Sequence, residues 1–184
     1  MKTAQEMYDF CKEKKYGQGQ NQAWALKHFS LIEKALSADE NAVMCFIGLH
    51  NFVSMTKHNS NFAYAITPKR IIMAQKQLIG EVLQSVFLDN INDVSFKAGM
   101  AFGIITIDTI KETFNVGLDK IQAANINAEI HNLLHELRQK KENPVASSAA
   151  TDPTVDLKKY KELLDTGVIT QEDFDAKKKQ LLGL

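Results

Sequence analysis

At 184 residues, with 45% hydrophobic and 24% charged residues, the chain can bury one substantial core and carry a small appendage. The 22 Lys and Arg balance the 22 Asp and Glu, and residues 1–40 and 153–184 each hold six lysines and six acidic residues. This excludes the basic footprint that nucleic acid or anionic lipid demands, and no run approaches the roughly 18 apolar residues of a membrane span.

Two cysteines without a motif, Cys11 and Cys45, and a charged N-terminus with no apolar signal region predict a reducing, cytoplasmic setting. Residues 3–15 read as a helix with Met7, Phe10 and Cys11 on its apolar side. A break follows at 16–21. It contains glycine but lacks the Lys-Ser/Thr pair and flanking strand of a phosphate loop, so it reads as a linker. Residues 22–36 form a second helix with Trp24, Phe29, Ile32 and Leu36 apolar, and Trp24 is expected as a core anchor. Residues 37–40 end it.

Strands come next. Residues 42–50 supply one, and a loop at 54–61 follows. In residues 61–67, Phe62, Tyr64 and Ile66 form a large row and Ala63, Ala65 and Thr67 a small one, the period of a strand with one face in a core. Pro68 fits the second position of a type I turn, and Ile71 to Ala74 resume as the second arm of a hairpin. Further strands are expected at 82–87, 91–96, 102–107 and 112–116, with breaks at 78–81, 89–90, 97–99 and 108–111. Seven short strands at near-regular spacing favour a meander, barrel or sandwich over a parallel sheet. A helix over 118–140 follows, with Ile126, Ile130, Leu133 and Leu137 as its stripe and Leu134 beside them. The expected core includes Trp24, Phe62, Tyr64, Ile66, Phe114, Ile130 and Leu137.

The local wording is specific. The segments Ala63-Tyr64-Ala65-Ile66-Thr67-Pro68-Lys69-Arg70-Ile71-Ile72, Leu88-Asp89-Asn90-Ile91-Asn92-Asp93-Val94 and Phe102-Gly103-Ile104-Ile105-Thr106-Ile107 resemble the bacterial PH-like (pleckstrin-homology-like) domains. There an A-x-T-x-x-R hairpin precedes an L-x-x-I-x-x-V strand and a G-x-x-x-I strand. Leu36-x-x-Asp39-Glu40, just before the first strand, fits the same pattern. The resemblance covers residues 42–139. It implies an α+β fold: a PH-like seven-stranded antiparallel barrel closed by a C-terminal helix, preceded by two helices and followed by a tethered helical hairpin. Some PH domains hold inositol phosphates with several basic residues in the loop between the first two strands. That loop has a single lysine here, Lys57, so those residues do not carry over, and fold does not fix ligand.

After Lys141 the composition turns small, polar and proline-flanked, which reads as a flexible tether. The tail then forms a helix over 156–165, a stop at Thr166-Gly167, and a second helix with Thr170 as N-cap and Glu172 and Asp173 in its first turn. Leu157, Leu163, Gly167, Val168-Ile169-Thr170, Glu172, Phe174, Lys177, Lys178 and Leu181-Leu182-Gly183 resemble the SHOCT module, a short C-terminal domain. That resemblance implies a helical hairpin appended to another domain for oligomerisation or tethering. About thirty residues cannot close a robust core, so the apolar face wants a partner.

The expected organisation is therefore N-terminal helices at 1–40, a PH-like domain at 41–141, a linker at 142–153 and a SHOCT-like hairpin at 154–184. The self-association or partner face is assigned to Tyr160, Leu163, Leu164, Ile169, Phe174 and Leu181. No catalytic, cofactor or metal constellation emerges. His131 and His135 lie four apart on a helix but lack a third ligand. Asp89, Asp93, Asp108 and Glu112 fall where turns need them, and no serine sits in a nucleophile elbow. The sequence points to a non-enzymatic binding or assembly protein of bacterial or phage origin, a homo-oligomer or the binder of a protein partner, without cofactor. The alternative is a membrane-surface or nucleic-acid module using Lys177, Lys178 and Lys179 of the basic tail helix.

Overall fold

Thr3 starts the first helix with a capping box. Its hydroxyl oxygen accepts from the Glu6 amide at 3.2 Å, and the Glu6 carboxylate accepts from the Thr3 amide at 3.0 Å. The helix, α1 (Ala4–Lys14), ends at Lys15, which takes the left-handed conformation (φ 61°). The second helix, α2 (Gln22–Ala35), is capped by Asn21, whose side chain accepts from the Trp24 amide. The computed structural model describes residues 1–17, 20–142, 153–166 and 170–182. Gln18 and Gly19 of the expected break, residues 143–152 of the expected linker, and the corner residues 167–169 lie outside the described residues.

Two units are present, Met1–Leu137 and Arg138–Leu184. In the first, seven strands follow the two helices: β1 (Met44–His50), β2 (Asn61–Ile66), β3 (Arg70–Lys76), β4 (Glu81–Phe87), β5 (Ile91–Ala98), β6 (Phe102–Thr109) and β7 (Thr113–Asp119). They form one antiparallel sheet in the order β4-β3-β2-β1-β7-β6-β5, so β4 and β5 are its edges. A 3-10 turn, Leu88–Asn90, occupies the expected break before β5. The strands β5 and β6 run further than their sequence suggests. The first takes in Lys97 and Ala98, and the second takes in Asp108 and Thr109, because ladder pairs Ala98↔Gly103 and Asp108↔Thr113 extend both hairpins.

The inner face of the sheet curls around one core. Phe46, Tyr64, Ile66, Met73, Ile105, Ile107 and Phe114 meet there, and all seven strands contribute. The final helix of this unit, α3 (Lys120–Glu142), covers that core. Asp119 starts it by accepting from the amides of Ile121 and Gln122. Its buried stripe is Ala123, Ile126, Ile130 and Leu134. Leu133 and Leu137, expected on the stripe, are half-buried, because steps of three, four and four from Ala123 select Leu134 instead.

A second core lies on the other face. The alternation in residues 61–67 suggests a single buried face, yet Ala63, Ala65, Ile72 and Ala74 are also fully buried. They pack beneath Met7 and Cys11 of α1 and Phe29 and Ile32 of α2. The alanine row is short so that helices can lie close to the sheet. Burying side chains such as Phe29 and Ile32 contributes roughly 1.5–3 kcal/mol each. At Gly17 (φ 110°) a Cβ would lie 2.7 Å from Cβ of Ile47, so only glycine fits where the chain leaves α1. Tyr16 and Gly17 tie this segment to α3: the Tyr16 hydroxyl donates to Glu129 at 2.9 Å and the Gly17 amide to Gln122 at 2.9 Å.

The second unit holds two helices, α4 (Pro153–Asp165) and α5 (Gln171–Leu182). The first begins three residues ahead of the expected Asp156, with proline at its first position, where a missing N–H costs nothing.

Candidate functional site

The hairpin of α4 and α5 is built from local rules. Thr170 and Asp173 cap α5 reciprocally: the Asp173 amide donates to the Thr170 hydroxyl oxygen at 3.2 Å, and the Thr170 amide donates to the Asp173 carboxylate at 3.1 Å. The Thr170 hydroxyl also donates to the Asp173 carboxylate at 2.6 Å, and this bond, ahead of the one from the Thr170 amide, holds the Asp173 carboxyl below its usual range. Of the expected contact residues, Tyr160, Leu164 and Phe174 are half-buried and Leu163 is 39% exposed. Ile169 lies outside the described residues, as does the side chain of Leu181. Lys177 is half-buried with its ammonium 5.9 Å from the centre of the Tyr160 ring, a cation–π contact, whereas Lys178 and Lys179 are exposed. None of the described side chains of this unit is fully buried. The described side chains of the hairpin thus form an apolar face without a closed core.

The first unit offers a different feature. A cleft of about 680 Å³ opens where the β1–β2 loop, the β3–β4 turn and the β6–β7 turn meet α2. Trp24 and His28 line it, their rings stacked with centroids 3.5 Å apart, and His28 Nδ1 lies 2.8 Å from the Trp24 carbonyl oxygen. Trp24 is half-buried at this rim rather than inside the core. His50, also on the wall, is 5% exposed and shares a 2.8 Å hydrogen bond with the Tyr64 hydroxyl. Burial lowers the pKa of His28 and of His50, so both imidazoles stay neutral near pH 7. Most of the remaining lining is Asn, Gln and Ser. The described residues contain no group of three His, Cys, Asp or Glu that could hold a metal. His131 and His135 stand exposed on α3. Burial raises the Cys11 and Cys45 thiols, which favours their protonated form.

One cluster is invisible to local pattern reading. Glu40, only 2% exposed, accepts from Arg70 Nε at 2.9 Å, from an Arg70 guanidinium nitrogen at 2.7 Å, and from the Thr67 hydroxyl at 2.8 Å. Arg70 also donates to the Ala35 carbonyl at 2.8 Å, which stitches the end of α2 to the β2–β3 turn. The Arg70 contact, foremost, holds the Glu40 carboxyl down to about 2. Arg70 of the A-x-T-x-x-R hairpin and Glu40 before β1 therefore form one largely buried ion pair. Their role is structural.

Residues 36–132, which span β1 to β7 and the first half of α3, match the model of the bacterial PH domain. The chain belongs to the bacterial PH domain family. Residues 156–182 match the short C-terminal domain, SHOCT. Similar solved structures include the Vps36 N-terminal PH domain, at 15% identity over 56% of this chain and 86% of that one, with a TM-score of 0.43. Another is the hSac2 domain from human phosphoinositide phosphatase Sac2, at 11% identity over 62% and 85%, with a TM-score of 0.43. Among curated proteins, nothing matches. Both α1 and α2 lie outside the matched region, so Trp24 and His28 at the cleft come from an addition to it. A PH domain joined to a SHOCT domain indicates a binding or tethering role. No described helix is long and apolar enough to cross a membrane.

Proposed function

We propose that the chain is a non-enzymatic binding and assembly protein, cytoplasmic and of bacterial or phage origin. Its PH domain is the protein-binding body, and its SHOCT hairpin is the element that self-associates or tethers the body to a partner. One observation carries this reading: the described side chains of the hairpin include no fully buried one, while Tyr160, Leu163, Leu164 and Phe174 form an apolar set. A module of this size stabilises that face by covering it with another chain. The acidic residues Glu172, Asp173 and Asp175 share α5 with Lys177, Lys178 and Lys179. That mixture supports assembly over a phosphate-driven contact to nucleic acid or membrane, which needs uncompensated positive charge.

The test is the solution mass of the full chain and of Phe174→Asp across concentrations. The wild type is expected to assemble and the variant to shift to a smaller mass with the PH domain still folded. An identical mass at every concentration would refute the role of the hairpin.

A further inference from the structure

The sheet has two edges, and the sequence treats them differently. The β5 edge is blunted. Its ladder with β6 shifts register between Ile91 and Asp93, and the charged residues Asp93 and Lys97 stand exposed along it. Natural sheets use bulges and charges to stop an edge from pairing. The β4 edge has neither device. Its ladder with β3 runs unbroken from Lys76↔Glu81 to Arg70↔Phe87. It contains no proline and, after Glu81, no charge through Phe87. Val82 and Val86 pack toward the inner core, so alternation puts Leu83, Ser85 and Phe87 on the opposite face. There Leu83 is 48% and Phe87 57% exposed. The turn that leads into the strand adds Leu78 and Ile79, essentially wholly in solvent. Among the described residues β4 is hydrogen-bonded to β3 alone.

We propose that the free edge of β4 is a self-pairing surface, on which two copies of the chain join β4 to β4 antiparallel about a two-fold axis. The occupant is a second copy because the strand is complementary to itself. Antiparallel self-pairing brings the start of one strand to the end of the other, and both ends are apolar: Leu78 and Ile79 in the turn before one, exposed Phe87 at the other. With the axis at Leu83, that residue meets the partner's Leu83, Glu81 lies opposite the partner's Ser85, and the turn residue Ile79 comes beside the partner's Phe87. The one acid of the strand is already neutralised within its own copy by Lys76 at 3.2 Å. An axis at Ser85 would set Glu81 against the partner's Asp89, and like charges directly opposite disfavour that register. A two-fold contact of this kind closes on itself, and a formal net charge of zero adds no repulsion between copies. This pairing uses no residue of the SHOCT hairpin, so it stands or falls separately from the hairpin's role.

The experiment is sedimentation of the full chain carrying Phe174→Asp, alone and with Leu83→Lys, joined to hydrogen exchange of the β4 amides in the wild type. The Phe174→Asp chain is expected to show a monomer–dimer equilibrium, and Leu83→Lys to weaken it by tenfold or more. Amides of residues 81–87 should exchange more slowly at high than at low protein concentration, a signature of backbone pairing that side-chain contact does not give. A Phe174→Asp chain that stays monomeric at every concentration overturns the proposal. So does an equilibrium untouched by Leu83→Lys, or β4 exchange that ignores concentration. The exchange arm reads the wild type directly and decides the matter even where Leu83→Lys fails to fold.

Discussion

Replacing Glu40 with Gln breaks the ion pair that joins the segment before β1 to the β2–β3 turn. The carboxylate is 2% exposed and accepts from Arg70 and Thr67 together. Its folded pKa of about 2, against an ordinary 4.5, corresponds to roughly 3 kcal/mol of stability at neutral pH. Breaking a buried pair by removing one partner costs about 3–5 kcal/mol, and the partial exposure of Arg70 places this case at the low end. The folded pKa is depressed, so the contribution is full above the unfolded value and is lost as pH falls from about 5 to 2. By pH 3 about 1.4 kcal/mol remains. Urea unfolding followed by circular dichroism should therefore show Glu40→Gln about 3 kcal/mol less stable than wild type at pH 7, with the gap roughly halved at pH 3. A gap below about 1 kcal/mol at pH 7, or one that does not narrow with acid, would refute the argument.

Three further outcomes follow from the same geometry. His28 and His50 are buried with lowered pKa values, so the unfolded chain binds more protons below about pH 6.5. Stability should fall from pH 7 to pH 5, and replacing both histidines should flatten that slope in urea titrations. At Gly117 a Cβ would sit 2.4 Å from Cγ of Phe52 and 2.8 Å from its Cβ. Gly117→Ala should cost about 1–3 kcal/mol, read as a lowered melting temperature. Tyr16→Phe removes the 2.9 Å bond to Glu129 and should cost about 1 kcal/mol, and that cost should vanish in a Glu129→Ala background in a double-mutant cycle.

Where the sequence speaks locally, it is legible. Period-two rows located β2 and the β2–β3 hairpin, Thr170 marked a helix start through its hydroxyl, and Ile126 and Ile130 marked the buried side of α3. What local pattern missed depends on distant partners. Ala63 and Ala65 look like a solvent row until α1 and α2 fold over them. Trp24 has the composition of a core anchor, yet its place near the start of α2 sets it at the cleft rim, stacked on His28. Glu40 and Arg70 are thirty residues apart, and only the pairing of β1 with β2 and of β2 with β3 brings them together. The exposed row of β4 reads as an ordinary strand in sequence, because edge position belongs to topology. In the hairpin, Tyr160, Leu164 and Phe174 are half-buried and Leu163 is 39% exposed, a difference that helical spacing alone does not show.

The measurement that bears most directly on the assembly reading is sedimentation of four full-length chains over a wide concentration range: wild type, Phe174→Asp, Leu83→Lys and the double variant. The account predicts the largest species for the wild type, smaller ones for each single variant, and a 20.7 kDa monomer for the double. Four superimposable mass curves would contradict it.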